Sequence, residues 1–130
     1  MSSISWIHNN PLDSPEVLAN FENDYGITLP SSFKVFVTIN NYAAPLPDSV
    51  IIKGFGETDV KRLLSFNRED TETVYQVIDY FSKLDLIPFA PDSYGNYFCL
   101  SDKTVVFWNH ETDVQYDLQC TFDEFLESIY

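Results

Sequence analysis

Four side chains in the sequence commonly serve as nucleophiles, proton carriers or soft metal ligands near neutral pH: Cys99, Cys120, His8 and His110. A cysteine beside His110 would be drawn toward its thiolate, but no spacing in the chain brings Cys99 or Cys120 to that histidine. His110-x-x-Asp113 offers two zinc ligands without the CxxC or HExxH companions that complete such a site. Asp123 and Glu124 would suit glycoside chemistry if they converged. Adjacent residues on a helix diverge instead, and this pair falls inside a helix-starting motif. Gly54-Phe-Gly56 is too short to cradle a phosphate. The sequence therefore predicts no catalytic residue, no metal site and no cofactor. Its cysteines read as buried free thiols, since two are too few for a disulfide scaffold.

Charge is more informative. Seven Lys and Arg stand against twenty Asp and Glu, for a formal net charge of −13. Such a field repels nucleic-acid backbones and anionic membranes and attracts basic partners. After Lys103 no Lys or Arg follows, while Glu111, Asp113, Asp117, Asp123, Glu124 and Glu127 place six carboxylates in the last 27 residues. A carboxylate cluster is commonly only a solvated face. The functional alternative is the steering of a basic partner, which accelerates association well beyond the neutral rate.

The elements that must position these groups follow from pattern. At 130 residues, with 45% hydrophobic and 16% aromatic side chains, the chain is one domain's worth and too apolar for disorder. Its start has no basic and apolar leader, and no run approaches ~20 apolar residues, so a soluble cytoplasmic protein is expected. Asp13-Ser-Pro-Glu16 predicts a capped helix carrying Val17, Leu18, Phe21 and Tyr25 and ending at Gly26. The stretch after Pro30 is ambiguous. Phe33, Phe36, Val37 and Asn40 fit a helix, whereas Phe33, Val35, Val37 and Ile39 alternate as in a strand.

Val50 to Ile52 predicts a short strand, Thr58 a capped turn through Leu63 and Leu64, and Asp70 the cap of a helix bearing Val74, Val77, Ile78 and Phe81. Strands are then predicted over 84–89, 96–100, 104–109 and 114–119, joined by short polar turns as an antiparallel meander. Thr121 to Glu124 is a capping box ahead of the stripe Phe122, Phe125, Leu126, Ile129. The expected fold is a single α+β domain over 1–130. It has an antiparallel sheet (a mixed sheet being the alternative), helices packed on one face, and a C-terminal amphipathic helix. One core should join Phe33, Phe36, Phe89, Phe98, Phe107, Trp108, Phe122 and Phe125.

Several strings carry a resemblance. Ile27-Thr-Leu-Pro30-Ser-Ser-Phe33-Lys-Val-Phe36 leads into the second helix, and Leu86-Ile-Pro-Phe-Ala90, Gly95-Asn-Tyr-Phe-Cys-Leu100 and Val105-Val-Phe-Trp108-Asn-His-Glu111 follow in order before Phe122-Asp-Glu-Phe125-Leu126. Together they resemble the SUKH superfamily, with its SMI/KNR-type domains. The resemblance implies a non-enzymatic immunity protein that neutralises a cognate polymorphic or contact-dependent toxin domain, a basic nuclease being favoured by the charge. Eukaryotic relatives imply the alternative of a regulatory or scaffold adaptor for host proteins; a carboxylate or Cys-His hydrolase is a third reading. In a strand starting at Val114, Val114, Tyr116 and Leu118 share one face, to be covered by helices, and Gln115, Asp117 and Gln119 the other. The expected partner-binding set is Glu111, Asp113, Gln115 and Asp117, with Glu57, Asp59 and Asp92 contributing from other loops.

Overall fold

A computed structural model describes residues 4–130. Strand β1 is Ser5–Ile7, helix α1 Val17–Tyr25 and helix α2 Ser31–Asn40. Strands β2 (Ala44–Leu46), β3 (Ser49–Ile52) and β4 (Gly56–Asp59) come next, then helix α3 (Ile78–Ser82). Strands β5 (Ile87–Pro91), β6 (Tyr97–Ser101), β7 (Thr104–Asn109) and β8 (Val114–Asp117) precede helix α4 (Phe122–Ser128). β5 to β8 form a four-stranded antiparallel meander in chain order, and β1–β2 and β3–β4 are two-stranded antiparallel pairs. The fold is α+β and closes on a C-terminal helix.

The ambiguous stretch after Pro30 is helical. Phe33 and Val37 are buried one turn apart, while Val35 and Ile39 are each 66% exposed, an arrangement a strand cannot produce. α4 carries the full capping box: Thr121 N–H donates to Glu124 Oε1 at 2.9 Å and Glu124 N–H to Thr121 Oγ1 at 3.2 Å. Its Phe122 meets Phe33, Phe89 and Phe36 edge-on, and its Phe125 meets Phe89 and Phe98, so α4 and α2 share one face of the meander.

Four local expectations are corrected. Asp13 does not cap α1: its N–H donates to Asn67 Oδ1, residues 14–16 make a turn, and the helix starts at Val17 with no side-chain cap. Thr58 lies in β4 opposite Val50, and residues 60–64 run extended, because Lys61 and Leu64 N–H groups bond to β5 rather than to a helical turn. Asp70 caps nothing; its carboxylate accepts from Asn10 Nδ2 and Ser65 Oγ. Thr73 instead forms a capping box with Gln76 at a 3₁₀ turn, Val74–Gln76, and α3 is only five residues long. The strand expected over 84–89 begins at Ile87, since Leu86 N–H still bonds back to Phe81 O.

The expected core divides. Phe33, Phe89, Phe98, Phe107, Phe122 and Phe125 are buried together with Phe36 half-buried against them. Trp108 belongs elsewhere. It packs on a smaller cluster of Phe81, Leu86, Cys99 and Val106 on the opposite face of the sheet, because β6 and β7 alternate sides residue by residue. α3 reaches that face through Phe81.

Candidate partner-binding surface

The register of β7 and β8 builds the surface. The turn from His110 to Asp113 sets Asn109 opposite Val114, which forces Trp108 opposite Gln115 and Val106 opposite Asp117. These four side chains share the face turned away from the main core. Val106 is buried beneath it, Trp108 is half-buried, and Gln115 and Asp117 are exposed.

Trp108 is locked at both ends. Its ring meets Phe81 at 5.1 Å and Tyr80 at 5.5 Å between centroids, both edge-on. Its Nε1 donates to Asp113 Oδ1 at 2.5 Å, and Tyr80 Oη donates to the same oxygen at 3.1 Å. Asp113 sits in the left-handed region at φ 59°, where Asp is among the few residues that settle, and its N–H bonds to Asn109 O at 2.8 Å. Partial desolvation against its neighbours, followed by the bond and charge of Asp113, raises the Tyr80 pKa.

A second tier fixes the turn. Buried Asn96 accepts from His110 N–H at 3.0 Å through Oδ1 and donates from Nδ2 to Asp92 Oδ2 at 2.9 Å. Gly95 lies at φ 91°, and a β-carbon there would stand 3.3 Å from the His110 ring, so this close approach of two loops needs glycine. Asp92 is thereby corrected: it is buried, and its carboxylate accepts from Thr58 Oγ1, Tyr94 N–H, and both Asn96 N–H and Nδ2. It supports the loops from within.

The remaining expected residues fall in different places. Glu111 is exposed at the turn's tip, its N–H held by Asn109 Oδ1 at 3.0 Å. Asp117 caps its own turn by accepting Gln119 N–H at 2.8 Å. Asp59 accepts Ser93 N–H at 2.8 Å and the Ser93 hydroxyl, so it borders the same loop cluster. Glu57 stands apart on the β3–β4 hairpin, where it accepts from Tyr130 Oη. The face bearing Tyr116 is covered from two sides. Besides the main core cluster, which includes Phe122 and Phe125 of α4, the hairpin tip also covers it, with Phe55 at 5.8 Å from the Tyr116 ring and room for a β-carbon at Gly54 only 3.6 Å away.

Sequence reasoning missed Tyr80 and placed Trp108 in the wrong cluster. The signal was present for Trp108: the four-residue turn after Asn109 already pairs it with the polar Gln115. Tyr80 offered none, since a short helix leaves no periodicity to read.

Ion pairs among the described residues join Lys34 to Glu22, Lys61 to Glu72 and Arg68 to Asp24, all ahead of α3. The surface therefore keeps its negative field. The thiols are tuned away from nucleophilic use: burial drives the Cys99 pKa far up, and burial with Glu124 and Asp117 raises that of Cys120. Among the described residues no three His, Cys, Asp or Glu side chains gather to hold a metal ion, and no helix is long and apolar enough to cross a membrane. The arrangement can do one thing well, which is to present rigid aromatic edges ringed by carboxylates and amides.

The model of the SMI1 / KNR4 family (SUKH-1) matches residues 14–128, which takes in every element from α1 to α4. Neither the curated proteins nor the solved structures yield a match.

Proposed function

The chain belongs to the SMI1 / KNR4 family (SUKH-1), and from that premise we propose that it is a cytoplasmic immunity protein that binds a cognate basic toxin domain, a nuclease in the favoured case, and blocks it without turnover. One observation carries the reading. Trp108 and Tyr80 are fixed by Asp113 beside exposed Gln115 and Asp117, and no Lys or Arg follows Lys103 in the chain. Preorganised aromatics with satisfied polar ends suit a binding hot spot, and surrounding carboxylates suit capture of a protein whose own substrate is anionic. The contact set is Tyr80, Trp108, Glu111, Asp113, Gln115 and Asp117, with Asp59 and Glu57 at greater remove. Asp92 takes no part.

Growth rescue tests this. Expression of the chain together with a candidate basic toxin domain, sought first in the reading frame next to its gene, should restore growth, and the two should purify as a stoichiometric complex. Trp108→Ala should weaken that complex by ~2 kcal/mol or more, the loss typical of a central aromatic anchor. Unrelieved toxicity with no complex would overturn the proposal.

A further inference from the structure

Main-chain geometry fixes which groups of β8 are already used. Asp102-Lys103 is a two-residue turn with Ser101 opposite Thr104, and the closing pair of such a hairpin exchanges both main-chain hydrogen bonds. Alternation then turns the main-chain groups of Val106 and Trp108 toward β6, and those of Val105, Phe107 and Asn109 toward β8. Leu118 N–H donates to Val105 O at 2.9 Å, in the same phase. Tyr116 consequently bonds inward, while Val114 N–H, at the turn, donates to Thr112 Oγ1 at 3.4 Å. Gln115 and Asp117 aim their main-chain N–H and C=O groups outward, and β8 is the last strand of its sheet among the described residues.

That edge carries neither proline nor lysine, the residues that commonly keep a further strand away. A groove of about 580 Å³ runs beside it, lined by Tyr116, Asp117 and Leu118, with Ile51, Lys53 and Glu124 among its other walls. Ile51 is 69% exposed and supplies apolar contact.

We propose that the β8 edge and this groove accept an extended, Lys- or Arg-bearing segment of the partner as a fifth strand of the sheet. The proposal rests on the partner-binding reading above and adds the mode of capture. Unpaired N–H and C=O groups of Gln115 and Asp117 would give the affinity of strand addition, and alternate side chains of the incoming segment would give the specificity. One set would enter the groove over Tyr116 and Leu118; the other would lie along the face of Gln115 and Asp117. Charge selects the occupant, because Asp117 and Glu124 face a single Lys53 there and no cation follows Lys103 in the chain.

The probe is an acetylated seven-residue peptide alternating Lys and Val, used with the full chain. Two N-methylated versions block one or the other hydrogen-bonding edge, and a further version carries Glu for Lys. Saturation with the basic peptide should slow amide exchange at Gln115 and Asp117 by about tenfold or more, as new main-chain bonds do. One N-methylated phase and the Glu version should fail to bind. Within the protein, Gln115→Pro removes one outward donor and should weaken binding about five- to tenfold, while Gln115→Ala, which keeps the donor, should stay within about twofold. The exchange measurement on the unaltered chain decides the matter even if Gln115→Pro folds poorly. No binding at millimolar peptide, binding without protection of the two amides, or equal binding of both N-methylated versions would each overturn strand addition. If those results came with intact toxin neutralisation, strand addition alone would fail and the partner-binding reading would stand; lost rescue and no complex would remove both.

Discussion

The two edges of the meander are treated in opposite ways. β5 contains Pro88 and Pro91, breaks register between Pro88 and Ala90, and is then covered by the 60–64 segment. Lys61 N–H bonds to Pro91 O at 2.9 Å and Leu64 N–H to Phe89 O at 2.8 Å. Proline, bulge and cover are three independent ways to close an edge, and β5 uses all of them. β8 has none. It is four residues long, beside a groove, and flanked by carboxylates. One chain thus contains both the means to seal an edge and a strand where they are withheld. This asymmetry separates the half of the sheet that maintains the fold from the half that remains available.

The largest expected effect tests what both edges depend on. Phe122 and Phe125 seat α4 on the inner face, and truncating a buried Phe costs ~3 to 5 kcal/mol. Phe122→Ala or Phe125→Ala should lower Tm by roughly 10 to 20 °C. A thermal scan that leaves Tm unchanged for both variants would mean α4 does not hold the sheet.

Next comes a matched pair at the edges themselves. Lys61→Pro deletes the donor that covers β5 and should cost ~1 to 3 kcal/mol in chemical denaturation, with Lys61→Ala far milder because its ion pair with Glu72 is exposed. Gln115→Pro deletes an outward donor on β8 and should cost under ~1 kcal/mol. Equal losses at the two positions would erase the contrast between the edges.

The strand interior gives a pH signature. Burial raises the Cys99 pKa above its ordinary value of 9.0, so the folded state keeps its proton when the unfolded chain has lost it. This contribution is complete below pH 9.0 and declines as pH rises past the unfolded thiol's value. Wild type should lose up to ~1.4 kcal/mol per pH unit from this group, and Cys99→Ala should show a shallower decline in denaturation midpoints between pH 8.5 and about 10.5. Cys120→Ala should leave partner binding intact. Parallel pH profiles for wild type and Cys99→Ala would show the thiol is solvated, against its burial beneath the outer face.

The same division explains what could be read in advance. β7 matched from Thr104 to Asn109 and the α4 capping box matched in full, because a strand bounded by tight turns and a Thr-x-x-Glu motif each encode their structure locally. β4 did not, since Gly56-Glu-Thr-Asp59 has no apolar alternation and forms only because β3 lies alongside it. Asp92 looked like any turn aspartate. Its burial is decided by Thr58 and Asn96, 34 and four residues away, which spacing does not disclose. The charged rim was legible as composition, whereas the Trp108–Asp113–Tyr80 lock needed the register across the turn and the arrival of α3.

The smallest effect on the fold should be the clearest on recognition. Glu111→Lys with Asp117→Asn removes two carboxylates from the β8 rim and adds one ammonium, a shift of three charge units. The amide introduced by Asp117→Asn keeps an acceptor oxygen for Gln119 N–H, and Glu111 contributes only its main chain to the Asn109 contact, so stability should move by less than about 0.5 kcal/mol. Asp113 is left alone because reversing it would also release Trp108 and Tyr80. Rim charges act over roughly a Debye length, about 10 Å at 0.1 M salt, and govern encounter more than dissociation. Stopped-flow mixing with the partner at low ionic strength should therefore show association slowed severalfold and a flatter salt dependence, with the dissociation rate nearly constant. A dissociation rate that rises while association holds would assign these residues to the buried centre of the interface; no change in either would move the interface away from β8.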